Sequence, residues 1–433
     1  MKIFLAPLVF TLGMFGSCSP KKESVATPPP KADPGAAFKH SENASKISID
    51  GWDGKIAEAL IPETIGGMPV TSIGKSAFAD QMNLTTVKVP SGVTSIGAGA
   101  FAGCMNLTSL TLENGVTTIG ENAFAGCLNL ASVALPATVT SIGKGAFTDC
   151  SGLTTITLPE GLTSLGESAF ASCISLPGVT IPASVSSIPD RAFAGCIVLK
   201  EVTVSNGPTG IGESAFEGCA ALVEMAIPDS VTNIGKNAFG GCTALTSITL
   251  PGGLAALADG VLSGCTALTT VAIPKKVFTI GKGAFQGCSN LPGAVIPEGA
   301  TTIGEEAFVE CVVLASVTIP RSVTSIGQRA FGGCWKLAEL TIPDSLTTIE
   351  PKTFQTCRAL TAVTIPGSVT SIGSEAFDGC EGLTSVTIPN SVTSIGDKAF
   401  SGTSNLAAIT VPNSVTTLGE NVFHATTAVT RAP

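Results

Sequence analysis

The chain has 433 residues, only 13% of them charged, a formal net charge of −9, two histidines and no tyrosine. Without a basic stripe it is not built to grip nucleic-acid phosphates. His40 and His424 lie before and at the end of the regular part of the sequence, so imidazole-based acid–base or zinc chemistry has almost no material.

The N-terminus reads as an export signal. Met1-Lys2 precedes an apolar run from Ile3 to Phe15, which suits a signal-peptide core and is short for a membrane span. The run ends in Phe15-Gly16-Ser17-Cys18, small residues before a cysteine, which resembles the bacterial lipobox; Phe15 stands where leucine is usual. The expectation is a signal peptide over 1–17, with Cys18 as the lipidated first residue of the mature protein. An ordinary signal peptide with an unmodified Cys18 is the alternative. Residues 18–45, with Lys21, Lys22, Pro28-Pro29-Pro30 and Pro34, read as a lipid-anchored disordered linker. Stretched at ~3.1 Å per residue, it would reach on the order of 80 Å.

Beyond the linker the phenylalanines fall at 78, 101, 124, 147, 170, 193, 216 and 239, then at 285, 308, 331, 354, 377, 400 and 423. Every step is 23 residues, and Leu262 fills the one missing place. Thirteen of the 14 cysteines keep the same step from Cys104 to Cys380; Cys18 alone stands outside it. So strict a period without insertions predicts a stacked solenoid, each coil burying its apolar side against its neighbours.

One coil, residues 383–405, reads LTSVTIPNSVTSIGDKAFSGTSN. Leu383, Val386 and Ile388 predict a short strand with one face buried, ended by Pro389, which has no N–H for a ladder. Val392 and Ile395 form a second apolar pair on the opposite side. Gly396 suggests a tight bend. Asp397-Lys398 then suggests one helical turn carrying Ala399 and Phe400, since acidic residues recur there as at Glu121, Glu167 and Glu213. The predicted fold is a leucine-rich-repeat solenoid with a parallel sheet and one short strand or helical turn per coil on the other side. Parallel connections are almost always right-handed, so a right-handed superhelix is expected.

The pattern LxxVxIPxSVTSIGxxAFxGCxx resembles the bacterial leucine-rich repeats of the BspA-like, or treponemal, type over residues 60–426. Residues 46–74 look like that family's opening segment. The organisation expected is an N-terminal cap and first coil over 46–83, repeats over 84–423, and a C-terminal cap or tail over 424–433. The resemblance implies a surface antigen or adhesin that binds matrix proteins, cell-surface proteins or glycans, placed as an outer-membrane lipoprotein at the cell surface. A periplasmic structural or scaffolding lipoprotein is the alternative.

The periodic cysteines show neither a CxxC motif nor a nearby histidine, so no metal or other cofactor is expected. Equivalent side chains on adjacent coils point the same way, and thirteen thiols cannot all pair. They read as a ladder of small buried free thiols.

The outward strand positions, two and four after the leucine, carry mainly Ser, Thr and Ala. The candidate binding residues are Thr155, Thr157, Thr180, Glu201, Thr203, Glu224 and Thr249. Hydroxyls there suit peptide or glycan recognition; strand propensity alone also explains threonine. Gly178, Glu201, Glu224 and Gly293 interrupt the regularity that an ice-binding ladder needs. Further irregularities are Lys200, the group Lys275, Lys276 and Phe278, Trp335, and the segment Leu254–Leu262, which lacks both the Phe and the bend Gly. With no catalytic triad, standout carboxylate pair or phosphate loop, no enzyme is predicted.

Overall fold

The computed structural model describes residues 37–432. The expectations placed on Cys18, the signal peptide and most of the linker lie outside the described residues. The fold is a parallel β-solenoid of about 17 turns, with coils of ~23 residues and no helix among the described residues. Most coils contribute a strand of two to four residues on one side, such as Thr86–Val89 and Ser109–Leu112, and a two-residue strand on the other, such as Ser95–Ile96 and Thr118–Ile119. Register follows the repeat, so Val87 stands beside Leu110 and Ser95 beside Thr118.

The alternation sets the core. Leu107, Leu110 and Leu112 point inward from one side, and Val116 and Ile119 from the other. Between these walls the phenylalanine rings form a column. Phe101 and Phe124 stack at 5.2 Å with planes 1° apart, and the column continues to Phe239. It lapses at Leu262 and resumes from Phe285 to Phe423.

The segment carrying the phenylalanine is not the helical turn the acidic residues suggested. The residue two before each Phe and, in most coils, the one two after it have left-handed backbone, as at Asn122 (φ 52°) and Gly126 (φ 71°) around Phe124. Such residues cannot extend a right-handed helix. They turn alternate amides toward the next coil: Asn122, Phe124 and Gly126 donate to the carbonyls of Lys144, Ala146 and Thr148 at 2.8–2.9 Å. The recurring acidic residue instead serves the stack from outside. The Asp190 and Asp397 carboxylates accept the amides of Glu213 and Glu420.

Gly396 and its equivalents also have a different purpose from the one expected. Their φ is not positive; a Cβ at Gly97 would lie 2.7 Å from the Gly74 carbonyl carbon. Glycine is favoured there because two coils pass backbone to backbone, although Pro189, Ala258 and Glu350 fill the equivalent place in three coils.

The folded part begins earlier than the expected linker boundary. Strand β1, Phe38–Asn43, pairs antiparallel with β2, Lys46–Trp52. This hairpin closes the first end of the core: Phe38 and Trp52 lie 6.2 and 5.9 Å from Phe78. Apolar Phe38, Ile47 and Ile49 supply its buried face within an otherwise polar stretch. At the other end, the expected tail contains a final strand, Ala428–Arg431, paired parallel with Ala408–Val411.

Candidate interaction surface

The two flanks of the coil differ in cohesion. The forward-donating bonds of the phenylalanine segment recur in coil after coil. The side with the longer strands instead divides into separate groups of two or three strands. One break lies between Thr155–Thr157 and Gly178–Ile181, another between Thr270–Val271 and Gly293–Val295. Both coincide with a local Leu-Pro-Gly sequence. In a regular coil the residue after the leucine donates backward, as Thr154 does to Ala131 at 2.8 Å and Thr269 to Thr246 at 3.1 Å. Pro177 and Pro292 have no amide to give, and the following Gly178 and Gly293 add no side chain over the gap.

A cleft of about 420 Å³ opens at the first break, bordered by Thr157, Glu160, Gly178, Thr180, Glu201 and Thr203. Four of the residues singled out from the sequence therefore meet: Thr157, Thr180, Glu201 and Thr203. Thr155, Glu224 and Thr249 are exposed on the same face but do not line this cleft. The register aligns Thr180 with Thr203 and Ala226 with Thr249. A second cleft, of about 620 Å³, lies at the Pro292 break and is largely apolar, with Val295 72% exposed. Lys275 and Glu298 border it.

Hydroxyls on this protein divide into two populations. Thr94, Thr117, Thr140 and Thr163 spend theirs on carbonyls of the preceding coil at 3.0–3.3 Å. Thr154 and Thr246 do the same on the strand flank. The outward Thr157, Thr180, Thr203 and Thr249 have no such partner among the described residues, so their hydroxyls remain available to solvent or a ligand.

The thirteen periodic cysteines are not part of any surface. All thirteen are free and buried. Each thiol donates to the phenylalanine (or Leu262) carbonyl of the preceding coil, as Cys173 does to Phe147 at 3.3 Å. Burial pushes the Cys150 and Cys311 thiols up to about 12, which removes the thiolate that chemistry or metal binding needs. Among the described residues no group of His, Cys, Asp and Glu could hold a metal ion.

Sequence reasoning overlooked one column. The residue just after the cysteine position is an exposed large apolar side chain at Met82, Met105, Leu128, Ile174 and Ile197, each 39% to 48% exposed. The signal was present as a run of Met, Leu and Ile at one fixed place in the repeat, outside the strand pattern. Farther along that column stands Trp335, with the Arg358 guanidinium 5.1 Å from its ring centre.

Two solved bacterial structures are similar to this chain. A leucine-rich repeat protein from Bacteroides ovatus is 27% identical, covers 92% of this chain and 98% of its own, and superposes with a TM-score of 0.63. A leucine rich cell surface protein from Faecalibacterium prausnitzii is 31% identical, covers 92% and 96%, and superposes with a TM-score of 0.52. A search of curated proteins finds no match. The sequence profile of the BspA type leucine rich repeat region matches residues 71–200, 163–292 and 301–430. The inward Leu and Phe columns, the 23-residue step and that profile agree, and this chain belongs to the BspA-type leucine-rich-repeat family.

Proposed function

We propose that this protein is an exported surface lipoprotein that binds extracellular proteins or glycans through the strand face of its solenoid. The observation that carries this reading is the cleft at Pro177, where Thr157, Thr180, Glu201 and Thr203 present free hydroxyls and one carboxylate side by side. Family membership and the likeness to a cell surface protein support the location. Export and tethering rest on Cys18: cleavage after Ser17 and acylation of that cysteine would leave the following residues as a spacer. A repeat scaffold of this kind binds over an extended surface, so affinity comes from several weak contacts.

The test is attachment of the purified chain to extracellular matrix proteins and to host cells. Replacing Thr157 and Thr180 by Arg should weaken attachment strongly, and Thr249→Glu should weaken it less. Unchanged binding by all three clears the strand face of the role. Mass spectrometry of the native protein decides the anchor, since an unmodified N-terminus starting elsewhere rejects it. Protease shaving of intact cells decides the orientation, and a protected protein would favour the periplasmic scaffold.

A further inference from the structure

We infer that the turn side of the solenoid holds a saccharide-binding site built on Trp335, separate from the strand face. A cleft of about 490 Å³ runs over five coils there, bordered by Ser289, Glu310, Arg329, Trp335 and Thr356 and floored by glycines such as Gly287. Trp335 is 46% exposed. Its indole is braced rather than loose: Arg358 lies over the ring at 5.1 Å, and Glu381 holds Arg358 at 3.6 Å. Arg329 is fixed in the same manner, 3.7 Å from Glu306 and 3.6 Å from Glu310.

The main chain decides the ligand class. The amides of Gly264, Gly287 and Gly333 are already spent on the carbonyls of Gln286, Val309 and Gln355 at 2.7–2.8 Å. An extended peptide would find no free edge to pair with. Recognition comes chiefly from side chains: one aromatic face, a carboxylate that accepts, a guanidinium that donates, and hydroxyls that do both. A pyranose complements that set, with an apolar C–H face for the indole and a ring of hydroxyls for Glu310, Arg329, Ser289 and Thr356. The opposite charges of Glu310 and Arg329 sit together, which favours a neutral sugar over a charged one. Glycine at 287 and 333 lets the ring approach the backbone.

This inference does not depend on the strand-face reading, and its test separates the two. The chain has two tryptophans, and Trp52 is buried in the N-terminal cap. Intrinsic fluorescence therefore reports on Trp335. Linear oligosaccharides of glucose, galactose, mannose and N-acetylglucosamine are titrated one by one. The expected result is a saturable emission change with at least one of them. Trp335→Ala should eliminate the fluorescence response and weaken calorimetric binding about tenfold. Glu310→Gln should weaken it, and Thr157→Arg should leave it unchanged. Absence of response to all four sugars overturns the site. So does a calorimetric signal that survives Trp335→Ala, or a response to a proline-rich peptide alone.

Discussion

The Cys150 thiol donates to the carbonyl oxygen of Phe124 across the gap between coils, at 3.2 Å. That carbonyl also receives the Cys127 amide from its own coil, at 3.2 Å. The thiol thus fills a second acceptor site that would otherwise be buried and half used. Where threonine replaces cysteine, at Thr403, the shorter hydroxyl turns to Phe400 in its own coil at 2.8 Å.

Alkaline pH should unfold the array steeply. Burial raises Cys104 from 9.0 to about 11, and Cys150, Cys196, Cys265, Cys311 and Cys380 to about 12. The unfolded chain loses these protons first, so the stabilisation is complete below pH ~9 and is lost between there and the folded values. Each thiol contributes a slope of about −1.4 kcal/mol per pH unit in that window. Thermal melts from pH 8 to 11 should show Tm falling beyond pH 9, less steeply after Cys150→Ala and Cys265→Ala. Folded protein should present no reactive periodic thiol, and denatured protein all thirteen. A flat Tm across this range contradicts the prediction.

The phenylalanine column should be sensitive to cavities and to its own gap. Phe239 is fully buried, 5.5 Å from Phe216. Phe239→Ala should cost ~3–5 kcal/mol in denaturant titration. At the gap, Val261 stands where flanking coils have Ala238 and Ala284, so Val261 and Leu262 together replace Ala and Phe. Leu262→Phe alone should overpack and cost ~1–3 kcal/mol. Adding Val261→Ala should recover most of that loss, as strong coupling in a double-mutant cycle.

Restoring the amide lost at Pro177 should mend the sheet. Pro177→Thr supplies a donor for the Thr154 carbonyl, as Thr154 itself does for Ala131. One regained bond is worth ~1 kcal/mol, set against the stiffness proline gave the unfolded chain. Hydrogen exchange should find the new amide protected. Attachment through the neighbouring cleft should weaken as the break closes.

Relief of left-handed backbone should stabilise. Lys398 has φ 56° and no ion pair among the described residues. Its own amide bond to Glu420 survives substitution. Lys398→Gly should therefore gain about 1 kcal/mol, read as a higher denaturant midpoint. A loss would mean that the side chain packs usefully where it lies.

The inward columns were legible because they carry one residue type each: Leu107, Phe124 and Ile119 repeat with little drift, and burial at both faces of a narrow coil demands it. The segment before the phenylalanine was not. Its left-handed position holds Gly at 99, 145, 260 and 283, but residues such as Asn122, Ser168, Arg191 and Glu375 elsewhere, so the glycine signal is diluted. An acid beside it imitates the start of a helix. The hairpin at Phe38 was hidden by its charged edge, which protects an exposed strand. Of the candidate residues, Thr157, Thr180, Glu201 and Thr203 were legible individually, but their convergence was not. It depends on Pro177 withholding an amide, and other breaks, such as that before Ser132–Ala134, have no proline to mark them.

The amide of Gly97 reaches back to Ile73, while four residues later that of Phe101 reaches on to Ala123. Each coil is therefore held from both sides within one short stretch. An added or deleted residue there would pull the two ladders out of step together, and neither neighbour could absorb it alone. Length in such a chain is quantised. It can change by whole coils, copied or excised at equivalent positions, and hardly otherwise. The Leu254–Leu262 coil illustrates the asymmetry: it has exchanged both its ring and its close-approach glycine, yet it keeps the count of 23.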